Sequence, residues 1–165
     1  MHNRHDIVYK IGEKIIYGKT GVCVVESIEE KTVPGGKRPY YTLKPMYQQN
    51  NVIYAPADSD KIFMRPLISR ENAERLVESV PAIRDSVLAG NTVAEDADCR
   101  TCEELLHLAV GIYEKRREAR KLKRKLGYTY EKRLHNAEQV LFGELAAVLE
   151  IEPESVPEVL FASVR

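Results

Sequence analysis

The sequence predicts an α+β protein with two domains, a small SH3- or Tudor-like β-barrel followed by a helical bundle. Turn residues and tyrosines are concentrated in residues 1–66, which contain five of the eight Pro, five of the nine Gly and six of the nine Tyr. Residues 67–165 instead carry helix-capping residues and apolar residues repeated every three or four positions. We therefore expect one domain in residues 1–66 and a second, helical domain in residues 67–165.

In residues 1–66, short runs of β-branched and aromatic residues alternate with turn residues, as is typical of strands. The predicted strands are Lys14–Tyr17, Val22–Ile28, Tyr40–Met46, Val52–Ala55 and a fifth near Lys61–Met64. The connecting turns fall at residues 18–21, 33–36 and 47–51. Strands this short and this few favour a strongly bent barrel, because a two-sheet sandwich needs more of them.

The later strands of this barrel are expected to offer a protein-binding surface. The edge of an open barrel has unpaired backbone groups that can accept a partner's strand. Core packing accounts for Tyr41, Leu43 and Ile53, so the side chains between them point outward. The predicted contact residues on this surface are Lys44, Val52 and Tyr54.

Capping residues predict where the first helices begin and end. Ser69 is expected to cap a helix that runs to about Ser79. Pro81 then begins a second helix, which ends before Gly90. The acidic stretch Thr92–Arg100 is expected to be a loop.

The longest helix is predicted to follow Thr101–Glu104, a capping box. We expect it to run to about Leu126 and to end at Gly127, with Ala119, Leu122 and Leu126 packed inward. Thr129 is predicted to cap the next helix. A second capping box, Ser155–Glu158, is predicted to begin a short terminal helix.

The charge of the chain is zero in total but unevenly distributed. Residues 1–66 carry a net charge of +3, residues 115–133 carry +8, and the rest of the second half carries −11. A neutral total therefore does not exclude a nucleic-acid partner. Like charges four residues apart destabilise an isolated helix, so the clustering in residues 115–133 favours contact with an external anion.

The phosphate groups of DNA suit this basic cluster. A row of exposed cations neutralises phosphates and releases their counterions. Residues 115–133 contain neither Asn nor Gln, so we expect contact with the DNA backbone and not base recognition. The predicted DNA-contacting residues in this cluster are Arg116, Arg120, Lys123 and Arg124.

The motifs of the sequence give no support for catalysis. Cys99 and Cys102 form a C-x-x-C, but the sequence lacks a second pair of zinc ligands and a βαβ unit for redox chemistry. Gly18–Gly21 contains Gly-Lys-Thr, yet a strand is predicted where a phosphate-binding loop requires a helix. We expect no enzyme activity, no cofactor or metal, and no small-molecule substrate. Without an apolar run of about 20 residues or a signal peptide, a cytoplasmic protein with no membrane contact is expected.

Several of these segments resemble, in order, the CarD/CdnL-type bacterial transcription regulators. Gly12–Gly21 is similar to the family pattern Gly-Asp-x-Val-Val-Tyr-Pro-x-x-Gly, with Gly18 in the place of Pro. Tyr40–Leu43 and Met64–Ser69 continue the resemblance, and Glu131–Leu145 is similar to the family's Glu-Lys-Arg-x-x-x-x-Ala-x-x-x-Leu-x-x-Glu-Leu. The similarity covers about residues 8–149.

The resemblance implies that residues 1–66 are a Tudor-like RNA polymerase interaction domain that docks on the polymerase β subunit. It also implies that the helical domain contacts upstream promoter DNA and stabilises the open complex. Lys31 matches a basic family position at the polymerase contact, and Tyr54 aligns with a second such position, which is normally Arg. Lys132 and Arg133 match basic residues that the family uses on DNA.

Members of this family often insert a Trp at the edge of the DNA bubble, and this chain has no Trp. We therefore expect a non-catalytic transcription regulator, cytoplasmic and nucleoid-associated, that contacts promoter DNA through backbone charge. Two alternatives are a polymerase-bound protein adaptor with no DNA role and an RNA- or ribosome-associated SH3-like binding factor.

Overall fold

The computed structural model describes residues 9–59, 61–94 and 97–164. An antiparallel five-stranded sheet comes first and helices follow it, which confirms the predicted α+β class. The chain divides into two compact units, the first of which ends at Leu67. We call residues 1–67 the sheet unit and residues 68–165 the helical unit.

The strands of the sheet unit lie in the order β4-β3-β2-β1-β5, and each neighbouring pair is antiparallel. They are β1 (Lys14–Tyr17), β2 (Gly21–Val33), β3 (Gly36–Pro45), β4 (Ile53–Pro56) and β5 (Met64–Pro66). A short 3-10 turn, Gly18–Thr20, joins β1 to β2 where a turn was predicted. β5 begins at Met64, the last residue of the segment where the fifth strand was predicted, and it pairs with β1.

The β2–β3 hairpin is longer than predicted. We expected the strands to end at Ile28 and to resume at Tyr40, but residues remain paired up to Val33 and Gly36. Mostly polar residues fill this extension, so its sequence lacks the apolar alternation of a strand, and pairing across the hairpin stabilises it. The turn closes on Gly35 and Gly36, whose φ angles of +98° and +134° suit glycine.

A β-bulge in β2 keeps the core side of this strand continuous. The pairing register shifts just after Val25, so Val25 and Ile28 both pack into the core although they are three residues apart. Tyr41 and Leu43 are buried in the same core and Ile53 packs against it, as predicted. The residues that alternate with them therefore form the outer face of the sheet.

The helices of the described part are α1 (Arg70–Glu78), α2 (Val80–Leu88), α3 (Cys102–Lys121), α4 (Tyr128–Leu149) and α5 (Val156–Phe161). α3 packs against α4, and the buried side chains include Leu106, Leu141, Leu145 and Leu160. None of these helices is both long and apolar enough to cross a membrane.

Two predicted helix starts are confirmed by their capping bonds. The Ser69 hydroxyl accepts a hydrogen bond from the backbone N–H of Asn72 at 3.1 Å. Thr101 Oγ1 accepts from the N–H of Glu104 at 3.1 Å, and the Glu104 carboxylate accepts from the N–H of Thr101 at 3.2 Å. Pro81 lies in the first turn of α2, close to its predicted start.

Three other predictions about helix termini need correction. α3 ends at Lys121, before the predicted end, because a turn with a left-handed backbone at Lys123 closes it. α4 has Gly127 as its N-cap, so Thr129 lies within its first turn and does not cap it. The predicted terminal helix, α5, does begin directly after Ser155, but Ser155 makes no side-chain capping bond, because its backbone is already helical and a 3-10 turn leads directly into α5.

Candidate functional site

Lys31, Tyr40 and Tyr54 form a cation–aromatic cluster on the outer face of the sheet. Lys31 Nζ lies 4.0 Å from the centroid of the Tyr54 ring and 5.4 Å from that of Tyr40. Both distances are within the reach of a cation–π interaction. Tyr54 is nevertheless 59% exposed, so the cluster presents an aromatic surface with a fixed positive charge to solvent.

Strand register explains why residues distant in the sequence meet here. Lys31 on β2 pairs with Arg38 on β3, and Tyr54 on β4 pairs with Thr42 on β3. Tyr40 lies between Arg38 and Thr42, and residues two apart in a strand share one face. The three side chains of the cluster therefore converge from three neighbouring strands.

The structure brings two of the sequence-predicted binding residues, Lys31 and Tyr54, into contact. Lys44 is exposed on the same face of β3, four residues beyond Tyr40. Val52 is 48% exposed and immediately precedes β4. Sequence reasoning did not include Tyr40 among these residues, although its alternation with buried Tyr41 was a signal that it faces outward.

The cluster lies beside a sheet edge. Among the described strands β4 pairs with β3 alone, so the backbone groups on its other side are open to a partner strand. The segment after β4 is anchored to β3, since Arg38 Nε donates to Asp58 Oδ1 at 2.6 Å and the Ala57 N–H donates to the Pro39 carbonyl at 2.9 Å. These contacts hold the edge in place next to the cluster.

A second candidate surface is the basic segment, residues 115–133. It covers the last turns of α3, the connection to α4 and the first turns of α4. Within the described part of the chain, four of its predicted DNA-contacting side chains are exposed and make no ion pair. These are Arg120, Lys123, Arg124 and Lys132.

The end of α3 is a Schellman turn with a lysine where glycine is usual. The Lys123 N–H donates to the Arg120 carbonyl at 3.0 Å, and the Arg124 N–H donates to the Ala119 carbonyl at 2.8 Å. The backbone of Lys123 is in the left-handed conformation, with a φ angle of +56°. This turn ends the helix before Gly127 and removes Leu122 from the inward stripe. The prediction that Leu122 packs inward is therefore wrong, because its side chain is 65% exposed.

Arg116 and Arg133 differ from the other predicted DNA-contacting residues because they are engaged within the helical unit. Arg116 Nη2 lies 3.2 Å from Glu131 Oε2, and its side chain is 29% exposed. Arg133 Nη2 donates to the backbone carbonyls of Ala94 and Ala97 at 3.0 and 3.2 Å. Both side chains therefore stabilise the helical unit that carries the exposed cations: Arg116 links α3 to α4, and Arg133 links α4 to the loop before α3.

The thiols of Cys23 and Cys99 are not activated. Burial raises the pKa of Cys99, and it raises the pKa of Cys23 to about 11. A thiol with a raised pKa stays protonated at neutral pH and is a weak nucleophile. Among the described residues, no three His, Cys, Asp or Glu side chains are grouped so as to hold a metal ion.

Residues 9–68 match the family model of the CarD-like/TRCF RID domain. This part of the chain belongs to that family. The match contains all five strands and the whole Lys31 cluster. The RID family is a protein-interaction family that binds RNA polymerase, and residues 9–68 carry a domain of this family.

Proposed function

We propose that the chain is a non-catalytic transcription regulator that bridges the RNA polymerase β subunit and upstream promoter DNA, and so modulates the stability of the open complex. The observation that carries this proposal is the Lys31–Tyr40–Tyr54 cluster on the surface of the RID domain, beside the β4 edge. In this proposal the RID domain is a small Tudor-like barrel, and the helical unit is a separate DNA-binding domain. The protein would act in the cytoplasm, associated with the nucleoid.

The cluster suits protein docking for three reasons. Tyrosine and cationic side chains are frequent anchors in protein interfaces. The contact between Lys31 and Tyr54 fixes both side chains before binding, which lowers the conformational entropy lost on association. The adjacent β4 edge supplies backbone groups for strand pairing, and Lys44 and Val52 extend the contact area.

The basic segment supports the DNA half of the proposal. Arg120, Lys123 and Arg124 lie around the exposed end of α3, and Lys132 is exposed on α4. Cations without ion pairs in the described part of the chain remain available for phosphates, which favours binding that is independent of base sequence. We assign Arg116 and Arg133 a supporting role, because their hydrogen bonds hold the helices that carry these cations.

The polymerase contact is tested with full-length Lys31→Glu and Tyr54→Ala variants. Each change removes one half of the cation–aromatic contact, and Lys31→Glu also reverses its charge. We expect each to weaken binding to the isolated β subunit by about tenfold or more, or about 1.4 kcal/mol. Biolayer interferometry with immobilised protein measures this affinity.

Lys19→Glu is the matched control, because Lys19 is an exposed lysine of the same domain in the β1–β2 turn, outside the cluster. It makes the same charge reversal and is expected to bind like the wild type. Wild-type affinity of both cluster variants would overturn the docking surface. Equal loss in the Lys19→Glu control would show a general charge effect instead.

A further inference from the structure

The helical unit contains a cavity of about 400 Å³, which lies between α2, α3, α4 and the C-terminal residues. This volume falls within the range of small-molecule binding sites. Several apolar side chains that line the cavity are only partly buried, so they keep surface that is accessible to solvent. They are Tyr113, Phe142, Pro157, Phe161 and Val164. Apolar surface in contact with water is unfavourable, and an apolar occupant of the cavity removes it from water.

Aromatic rings form the largest part of this apolar lining. Tyr113 on α3 and Phe161 on α5 pack edge to face, with ring centroids 5.2 Å apart, and Phe142 on α4 lines the same space. The Tyr113 hydroxyl already donates to Glu138 Oε1 at 2.6 Å, so this tyrosine offers its ring and not its O–H to an occupant. Aromatic rings pack favourably against a further ring in edge-to-face or offset-stacked geometry. The lining therefore suits an aromatic occupant.

The charged side chains around the cavity balance one another. Arg84 Nε lies 2.9 Å from Glu114 Oε1, and Arg117 Nη1 lies 3.7 Å from the same oxygen. Arg116, the third arginine of the lining, pairs with Glu131 at 3.2 Å. The carboxylates that balance these three arginines are Glu114, Glu131 and Glu138. A charged ligand would lose its hydration without gaining an opposite charge that is free to pair with it, so the balance favours an uncharged occupant.

We propose that this cavity binds a small uncharged aromatic molecule. Its ring packs among Tyr113, Phe142 and Phe161, and Pro157 and Val164 contact it from the C-terminal segment. Burial of apolar surface supplies most of the binding free energy, because the charged groups of the lining are already paired. The binding requires neither polymerase docking nor DNA contact.

The test is a titration of the full chain with indole, followed by NMR of the valine methyl groups. We expect saturable binding with a Kd of about 1 mM. The methyl resonances of Val110 and Val164 should shift, since both residues line the cavity. Val159 is the internal control, because it is 44% exposed on α5 and does not line the cavity, and its resonance should stay in place.

Charged analogues test whether the site prefers an uncharged ligand. Benzoate and benzylamine each carry an aromatic ring, with a negative and a positive charge respectively. We expect each of them to bind at least about tenfold more weakly than indole, because neither charge finds a free partner in the cavity.

Two variants locate the binding. Val164→Trp places a large side chain at the cavity, and we expect it to weaken indole binding by about tenfold or more. Val159→Trp makes the same substitution outside the cavity and should bind like the wild type; circular dichroism checks that both variants fold. If Val164→Trp does not fold, the methyl shifts and the charged analogues decide the question with the wild type alone.

Four results would overturn the proposal. Indole might not saturate, or the Val159 methyl resonance might shift as much as those of Val110 and Val164. Benzoate or benzylamine might bind as tightly as indole. Finally, the folded Val164→Trp variant might bind no more weakly than Val159→Trp.

Discussion

Tyr113 couples the stability of the helical unit to alkaline pH. Burial, followed by the hydrogen bond to Glu138, raises the pKa of Tyr113 above its ordinary value of 10.0. Folding therefore favours the neutral phenol. The stability that this tyrosine contributes is fully present below pH 10 and is lost as the pH rises further towards the folded-state pKa.

We predict that Tyr113→Phe lowers the free energy of unfolding by about 1–2 kcal/mol at pH 8, because the partly buried Glu138 carboxylate loses its donor. The deficit should shrink above pH 10. The unfolded wild type then carries a phenolate that must take up a proton to fold, which costs the wild type stability, and the Phe variant has no such group. Urea unfolding of both proteins across this pH range measures the difference. A deficit that stays constant with pH would contradict the assignment.

For single residues, the sequence predicts burial and contacts with distant residues least well. Glu144 lies in a segment matched to a family motif, yet nothing in its neighbours predicts that it is fully buried and accepts the N–H of Ile68 at 3.0 Å. Lys31 and Tyr54 were predicted as binding residues from separate signals. Their contact depends on the register of three strands, which a single sequence does not determine.

At the scale of single elements, the end of α3 stores conformational strain at Lys123. A left-handed conformation is costly for a residue with a Cβ and costs glycine little. We predict that Lys123→Gly stabilises the protein by about 1 kcal/mol, because glycine is the usual residue at this position of a Schellman turn. Equilibrium urea unfolding measures the change.

Lys123→Ala is the matched control for that substitution. It removes the same charge and the same long side chain but keeps the Cβ, so it should leave stability close to that of the wild type or below it. If the glycine and alanine variants were equally stable, relief of strain would not explain the effect.

Helix boundaries were predictable where a single side chain marks them, and less so where they depend on a turn or on pairing between strands. Ser69 and Thr101 have side chains that satisfy free N–H groups, so their identity marks a helix start directly. The end of α3 depends on a turn that lysine adopts against its preference, and Gly127 gave a false signal because it caps the next helix instead. The length of the β2–β3 hairpin likewise depends on pairing between strands and not on the pattern within either one.

At the scale of the whole molecule, the neutral total charge conceals surfaces of different sign. Segment-by-segment charge located the basic segment correctly as a cluster, because like charges close in sequence stay close in any helix. It could not separate Arg120 and Arg124, which remain exposed, from Arg133, whose guanidinium binds the carbonyls of a distant loop. That distinction requires the tertiary structure.

This distinction leads to a prediction about DNA. Arg120→Ala/Arg124→Ala should weaken binding to duplex DNA of any sequence and should reduce the slope of log K against log salt by up to about 2, since each lost phosphate contact removes about 0.9 from it. Fluorescence anisotropy on two unrelated duplexes over a range of salt concentrations measures both quantities.

Arg70→Ala/Arg75→Ala is the matched control, because it removes two exposed arginines of the same unit that are paired with glutamates on α1. An unchanged slope in the first variant, or an equal reduction in the control, would favour the adaptor without a DNA role. A loss confined to one of the two duplexes would instead indicate base recognition, for which the basic segment has neither Asn nor Gln.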